Sequence, residues 1–226
     1  MRTSITVGSL LLLAVAQSAI AGQIVLSPLD DGQLSRTAYG QPYVLTNPSP
    51  FSGLVVDRDL EDTGELHEGF AEYSLASLPN NATVTSGSLS FHVGLYEASS
   101  AGSPSLSVHL FDGGDGQITY ADISKSLVNV AQSQDITGLG VYTTDFMSAW
   151  CFNHRDEYFP SGYVGLDLSA RVEDHTVKVW SLSDVQYGFQ PPKIILNYTV
   201  PEPASFPLFG VAAALLFLGR RKMAGR

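Results

Sequence analysis

One cysteine, Cys151, stands in a chain of 226 residues. With no second cysteine to pair with, no disulfide can staple the fold, and its stability has to come from packing. Between Trp150 and Phe152 that cysteine reads as a small buried hydrophobe rather than a nucleophile. Cations are scarce too. From Gly22 to Val200 seven Lys and Arg stand against 21 Asp and Glu, a net of −14, while the whole chain carries −10. Such a surface repels nucleic acid, so nucleic acid is not among the expected partners. His67, His92, His109, His154 and His175 show no metal-ligand spacing. There is no Gly-x-Ser-x-Gly elbow and no phosphate-cradling glycine loop. Internal repeats and low-complexity segments are missing as well. These absences remove the common signatures of hydrolases and nucleotide binders and leave a non-enzymatic expectation. Carboxylates are plentiful, so a glycosidase-type pair stays open, but nothing in the sequence selects two of them.

What the sequence does have begins at its ends. Arg2 is a minimal charged start, Leu10 to Ala16 is an apolar run, and Ala19-Ile20-Ala21 gives the small-x-small cleavage pattern. This is the layout of an export signal over residues 1–21, with Gly22 as the first mature residue. At the other end Pro201-Glu202-Pro203 disfavours helix and holds the chain extended. Phe206 to Gly219 then carries no charge, and Arg220-Arg221-Lys222 closes the run. As a helix the apolar run covers about 21 Å, short of the roughly 30 Å hydrocarbon core, a length that also suits a core helix. Its all-round apolarity and basic end favour a short membrane helix within residues 200–226.

The order of spacer, apolar helix and basic tail resembles the PEP-CTERM sorting signal of Gram-negative bacteria. The resemblance implies a sorting motif at Pro201, Glu202 and Pro203, and a sorting protease of the exosortase type as partner. It also implies export across the inner membrane and transient anchoring through the C-terminal helix, with cleavage and delivery to the cell surface or extracellular matrix. Sequences with this tail are associated with exopolysaccharide, which becomes a second expected partner.

Residues 22–199 read as one all-β domain. Ile24 to Leu26, Leu54 to Val56, Phe70 to Leu75, Val84 to Tyr96, Leu106 to Leu110, Tyr163 to Leu168, Val177 to Trp180 and Ile194 to Tyr198 carry the strand signature. Leu89, Phe91, Val93 and Leu95 share one face, and Val179 and Ile195 are expected to point inward. Gly, Pro, Asn and Ser clusters separate the runs. Two short helices are expected, one near 122–130 capped by Asp122 and one near 146–155 capped by Asp145. The fold class is therefore a jelly-roll-like β-sandwich with two short helices, plus an N-terminal signal helix and a C-terminal membrane helix. The stretch Phe70 to Pro79, followed by Ala82 to Leu89, resembles the start of DNRLRE-type domains related to carbohydrate-binding modules. Pro191 to Tyr198 resembles their closing strand. That likeness implies a jelly roll, and carries little about sugar binding because the matched residues set strands and a turn.

One loop carries a chemical motif. Phe111-Asp112-Gly113-Gly114-Asp115-Gly116-Gln117-Ile118-Thr119-Tyr120-Ala121-Asp122 matches the second half of a calcium loop, with Asp112, Asp115 and Asp122 as candidate ligands and Gly116 as the turn. The same residues also read as a glycine-rich turn followed by a helix cap. Asp57, Asp59, Glu61, Asp62, Glu65 and Glu68 form an acidic cluster that reads as a solvated loop. Tyr39, Tyr43, Tyr142, Tyr158 and Tyr187 are candidates for stacking on sugar rings. The sum is an exported surface or matrix protein, structural or adhesive, linked to extracellular polysaccharide. The alternatives are a secreted polysaccharide-acting enzyme and a calcium-dependent carbohydrate-binding module.

Overall fold

Period-two alternation in the longer strands, with little helix-forming sequence between, underlies a sheet that has thirteen strands among the described residues. The structure is a computed structural model. It describes residues 19–36, 38, 40–47, 53–59, 64–97, 105–123, 125, 127–129, 133–145, 149–170, 175–179 and 181–202. In chain order the elements are β1 (Ala19–Leu26), β2 (Asp30–Arg36), β3 (Val44–Thr46), β4 (Leu54–Asp59), β5 (Glu65–Ser74), β6 (Thr83–Glu97) and β7 (Ser105–Asp112). Then come α1 (Tyr120–Ile123), β8 (Leu127–Asn129), β9 (Ser133–Asp135), β10 (Gly140–Asp145), α2 (Trp150–Asn153) and α3 (Arg155–Tyr158). β11 (Tyr163–Ala170), β12 (His175–Val179), a 3-10 turn (Leu182–Tyr187) and β13 (Lys193–Pro201) follow among the described residues.

The hydrogen-bonded path runs β1-β13-β6-β12-β4-β5-β11-β7-β8, with β10 beside β6, β9 beside β7, and β2, carrying β3, beside β5. The ladder folds over into two layers. One core cluster joins Leu89, Phe91 and Val93 of β6 and Ile194 and Leu196 of β13 to Leu106, Val108 and Leu110 of β7 and Val164, Leu166 and Leu168 of β11. The buried Tyr73 on β5 ties the layers by donating its hydroxyl to the Pro192 carbonyl at 3.0 Å. Cys151 and Phe152 of α2 are buried in the same cluster. Asn153 fastens α2 to the start of β6: its Oδ1 accepts from Val84 N at 2.7 Å and its Nδ2 donates to Val84 O at 3.0 Å. The all-β, sandwich-like class is what the sequence predicts.

Several details differ from the expectation. Leu95 does not follow Leu89, Phe91 and Val93 inward and is exposed. Lys178 pairs with Leu95 while Val179 pairs with Val93, so Gly94 is an extra residue on β6, and this bulge reverses the facing beyond it. On β13 it is Ile194 and Leu196 that are buried, with Ile195 only partly covered. A run of three apolar residues does not fix the phase of a strand, and a one-residue shift exchanges its faces. The helix expected over 122–130 shrinks to α1, because Leu127 and Asn129 pair with Phe111 and Leu110 at the edge of β7. A helix of two turns gains less than a strand that completes a ladder. Asp145 ends β10, paired with Ser88, and is not a cap. The helices nearby start at Trp150, with Ala149 as N-cap and no side-chain capping bond, and residues 146–148 lie outside the described residues. Of the acidic cluster expected in a loop, Asp57, Asp59, Glu65 and Glu68 lie on strands β4 and β5, with Asp57 paired to His67 and Asp59 to Glu65, while Glu61 and Asp62 lie outside the described residues.

The signal helix and the membrane helix lie outside the described residues. Among the described residues no helix is long and apolar enough to cross a membrane. β1 starts earlier than Ile24: Ala19, Ile20 and Ala21 pair with Pro201, Val200 and Thr199.

Candidate functional site

The loop after β7 is organised from below by a carboxylate the sequence did not single out. Glu72, fully buried on β5, accepts from Gly114 N at 2.9 Å and from Gly116 N at 2.8 Å. Gly116 has φ of 88°, a left-handed conformation that turns its N–H toward Glu72 without a Cβ penalty. The next N–H groups also go to carboxylates. Gln117 N reaches Asp115 Oδ1 at 3.1 Å, Ile118 N reaches Asp30 Oδ2 at 2.9 Å, and Thr119 N reaches Asp122 Oδ2 at 2.8 Å. The loop is a concave row of backbone donors, an arrangement suited to anions, and the protein's own acids fill it. Burial pushes the Glu72 carboxyl above its ordinary value, and the two glycine N–H groups pull against that shift.

The three predicted calcium ligands are not brought to one point. Asp112 Oδ1 accepts from Ser161 Oγ at 2.7 Å and Ser161 N at 3.3 Å. Asp115 is exposed and closes its own turn onto Gln117. Asp122 is buried, takes the Thr119 hydroxyl at 2.6 Å and pairs with Lys125 Nζ at 2.7 Å. Burial raises the Asp122 carboxyl, but Lys125 and Thr119 outweigh it and hold the group below its ordinary value. Among the described residues no three His, Cys, Asp or Glu side chains are placed to hold a metal ion. The geometry is that of the turn and cap, with one change: Thr119 stands at the helix start and Asp122 reaches back to it from the third helical position.

A second polar site lies on the outer face of β11 and β7. Leu106, Val108 and Leu110 enter the core, so Ser105, Ser107, His109 and Phe111 project to the other side. Asp167 projects with them, directly opposite His109 on β7 and Phe70 on β5. Burial pushes the Asp167 carboxyl well above the usual carboxylate range, helped by the charge of Glu68, and burial lowers the His109 imidazole. Among the described residues three buried side-chain atoms lack a hydrogen-bond partner: Ser105 Oγ, His109 Nδ1 and Asp167 Oδ1. All three belong to this face. Sequence reasoning passed over them because alternating polar residues in a strand read as its solvent side. The available signal was Asp167 itself, a carboxylate inside the apolar run Val164 to Leu168.

The aromatic candidates divide. Tyr142 stacks on Phe91 at 5.8 Å and its hydroxyl is held by the Thr137 and Gly138 backbone. Tyr43 is exposed beside the Arg36 guanidinium at 5.0 Å, Tyr187 is exposed, and Tyr39 lies outside the described residues. Tyr158 is half-buried and meets Trp150 at 4.9 Å. Trp150, absent from the candidates, is 48% exposed and also rests on His154 at 4.4 Å.

At the C-terminal end of the fold, β13 runs to its last residue, Pro201, which is exposed, and Glu202 follows it out of the sheet. Pro203 and the apolar run lie outside the described residues. Residues 199–222 match the PEP-CTERM protein-sorting motif. This motif is a signal recognised by exosortase, and it implies export and a transient C-terminal membrane anchor. No curated protein matches the chain. The PEP-CTERM match covers the tail and the last three residues of β13, and leaves the body of the sandwich unassigned.

Proposed function

We propose that this PEP-CTERM chain is a non-enzymatic structural or adhesive component of an extracellular polysaccharide matrix. The sorting-motif match at 199–222 carries the reading. The fold is arranged to survive processing at both ends. Among the described residues the core cluster ends at Leu196, with Tyr198 packed against it, and both precede the Pro-Glu-Pro spacer. Signal cleavage after Ala21 removes the β1 partners of Thr199, Val200 and Pro201, while Thr199 keeps its pairing with Thr83 on β6. The matrix supplies the destination: an acidic domain that stays soluble on export and stands as one packed unit.

The test is fractionation of cells that make the protein. The chain should be extracted with the exopolysaccharide and be released when the polysaccharide is digested. A chain found wholly in free solution, at the same level with and without polysaccharide digestion, would overturn the matrix role.

A further inference from the structure

The end of the sandwich from which the sorting tail leaves also carries an exposed aromatic cluster. β6 begins and β13 ends there, with Thr83 opposite Thr199 and Val84 opposite Tyr198. Asn153 grips the backbone N and O of Val84, which seats α2 beside that exit. α3 closes the same end, where Arg155 donates to the Pro79 and Asn80 carbonyls between β5 and β6. On this base Trp150 stands 48% exposed, with its ring against His154 at 4.4 Å and Tyr158 at 4.9 Å. The His154 ring is fixed in turn, its Nδ1 lying 2.9 Å from the Trp150 carbonyl oxygen. Cys151 and Phe152, buried in the core, hold α2 from below. The indole is thus held outward on a fixed seat.

The length of the tail decides what that indole meets. Glu202 is the last residue described, and only Pro203, Ala204 and Ser205 separate it from the uncharged run Phe206 to Gly219. Four residue steps reach at most about 14 Å. The sorting motif implies a transient membrane anchor, so this end of the sandwich is kept against the lipid surface while the anchor lasts. We propose that Trp150, backed by Tyr158 and His154, docks this end of the domain into the headgroup region of the membrane that holds its tail. Trp and Tyr join an apolar ring to a polar tip, the combination enriched where bilayer meets water. The rim of the cluster is acidic: Asp156 and Glu157 are exposed, and Arg155 is turned to its carbonyls. The surface it fits is therefore zwitterionic and not anionic. A tether this short makes the encounter intramolecular, so a contact too weak to recruit a free protein is populated on the anchored chain and lost when the tail is cut. It is independent of the matrix role, which concerns the chain after release.

The experiment uses the full chain in phosphatidylcholine nanodiscs, made with and without lipid brominated near the headgroup end of its acyl chains. The chain has two tryptophans, Trp150 and Trp180, so Trp150→Phe supplies the background to subtract. Brominated lipid should lower the Trp150 emission by about half or more. Replacing half of the lipid by phosphatidylglycerol should weaken that quenching. A reporter placed by Val141→Trp in the Trp150→Phe chain should keep its emission. Val141 is exposed and pairs with His92, eight strand residues or about 27 Å along β6 from Val84. Equal Trp150 emission in the two lipids overturns the proposal, as does stronger quenching in the anionic lipid. Equal quenching at both positions would overturn it too, because the domain would then lie along the membrane and not stand on this end. A Trp150 emission that responds to soluble dextran and not to brominated lipid would make the cluster a sugar platform instead.

Discussion

Replacing Gly165 by alanine should lower the melting temperature by roughly 6–12 °C. Gly165 lies mid-strand on β11, opposite Phe111 on β7 and Glu72 on β5. The Phe111 ring lies across it, so a Cβ there would fall inside the van der Waals shell of the ring's Cε2 and Cζ atoms. The ring cannot swing away. It is buried and meets Phe70 edge-on at 6.3 Å, within the cluster of Leu34, Phe70, Phe111 and Ile118. Overpacking of this kind costs about 1–3 kcal/mol and more where backbone must move, and about 3 kcal/mol is expected here. The clash is specific, so Phe111→Leu in the same chain should recover part of the loss, a coupling that a double-mutant cycle reads directly. A Gly165→Ala protein melting within about 2 °C of the unmodified chain would show that the ring does not sit over this strand.

Glu72→Gln should be nearly as damaging, at about 2–4 kcal/mol. The carboxylate accepts from both Gly114 and Gly116 through its two oxygens, and the Gly116 bond is buried. An amide offers one oxygen and turns two donors toward the second N–H. The pH dependence has a defined sign. Burial raises the folded-state value of Glu72 above 4.5, so its contribution is fully present below that value and declines as pH rises through the raised one. The gap between the unmodified chain and Glu72→Gln should therefore be widest in acid and narrow toward neutral pH. Calcium is a third arm of the same melt. A saturable site would add about 2.7 kcal/mol at a hundredfold excess over its Kd. With Asp112, Asp115 and Asp122 each held by separate partners, millimolar calcium and chelator should give the same curve. A calcium-dependent rise abolished by Asp115→Ala would establish the loop as a cation site after all.

How much of this was legible in the sequence depends on range. β6 and β7 could be read because their own residues alternate, from Ser88 to Leu95 and from Ser105 to Leu110, and β5 because of its shorter run from Phe70 to Ser74. β2, Asp30 to Arg36, could not: Asp-Asp-Gly-Gln-Leu-Ser-Arg has no alternation, and it is a strand because β5 and β3 bond to it on either side. β8, β9 and β10 are short edges that borrow their conformation from a neighbour in the same way. The 3-10 turn Leu182–Tyr187 did carry a local mark, Ser181 and Asp184 in a capping box, and was overlooked in favour of the strands around it. The sorting motif was readable in full because its chemistry is linear, a spacer, an apolar run and cations in order. Glu72 was not, since its partners lie 42 and 44 residues away and its own neighbours look like any alternating strand. Asp167 needed the register: only pairing places it beside His109.

The account stands most directly on processing at the C-terminus. Intact-mass measurement of the protein recovered from outside the cell, beside the same protein from the membrane fraction, decides it. The extracellular form should lack Arg220 to Arg226, and the full tail should persist only on membrane-held precursor. Extracellular protein whose mass includes the complete tail would contradict sorting through the PEP-CTERM signal.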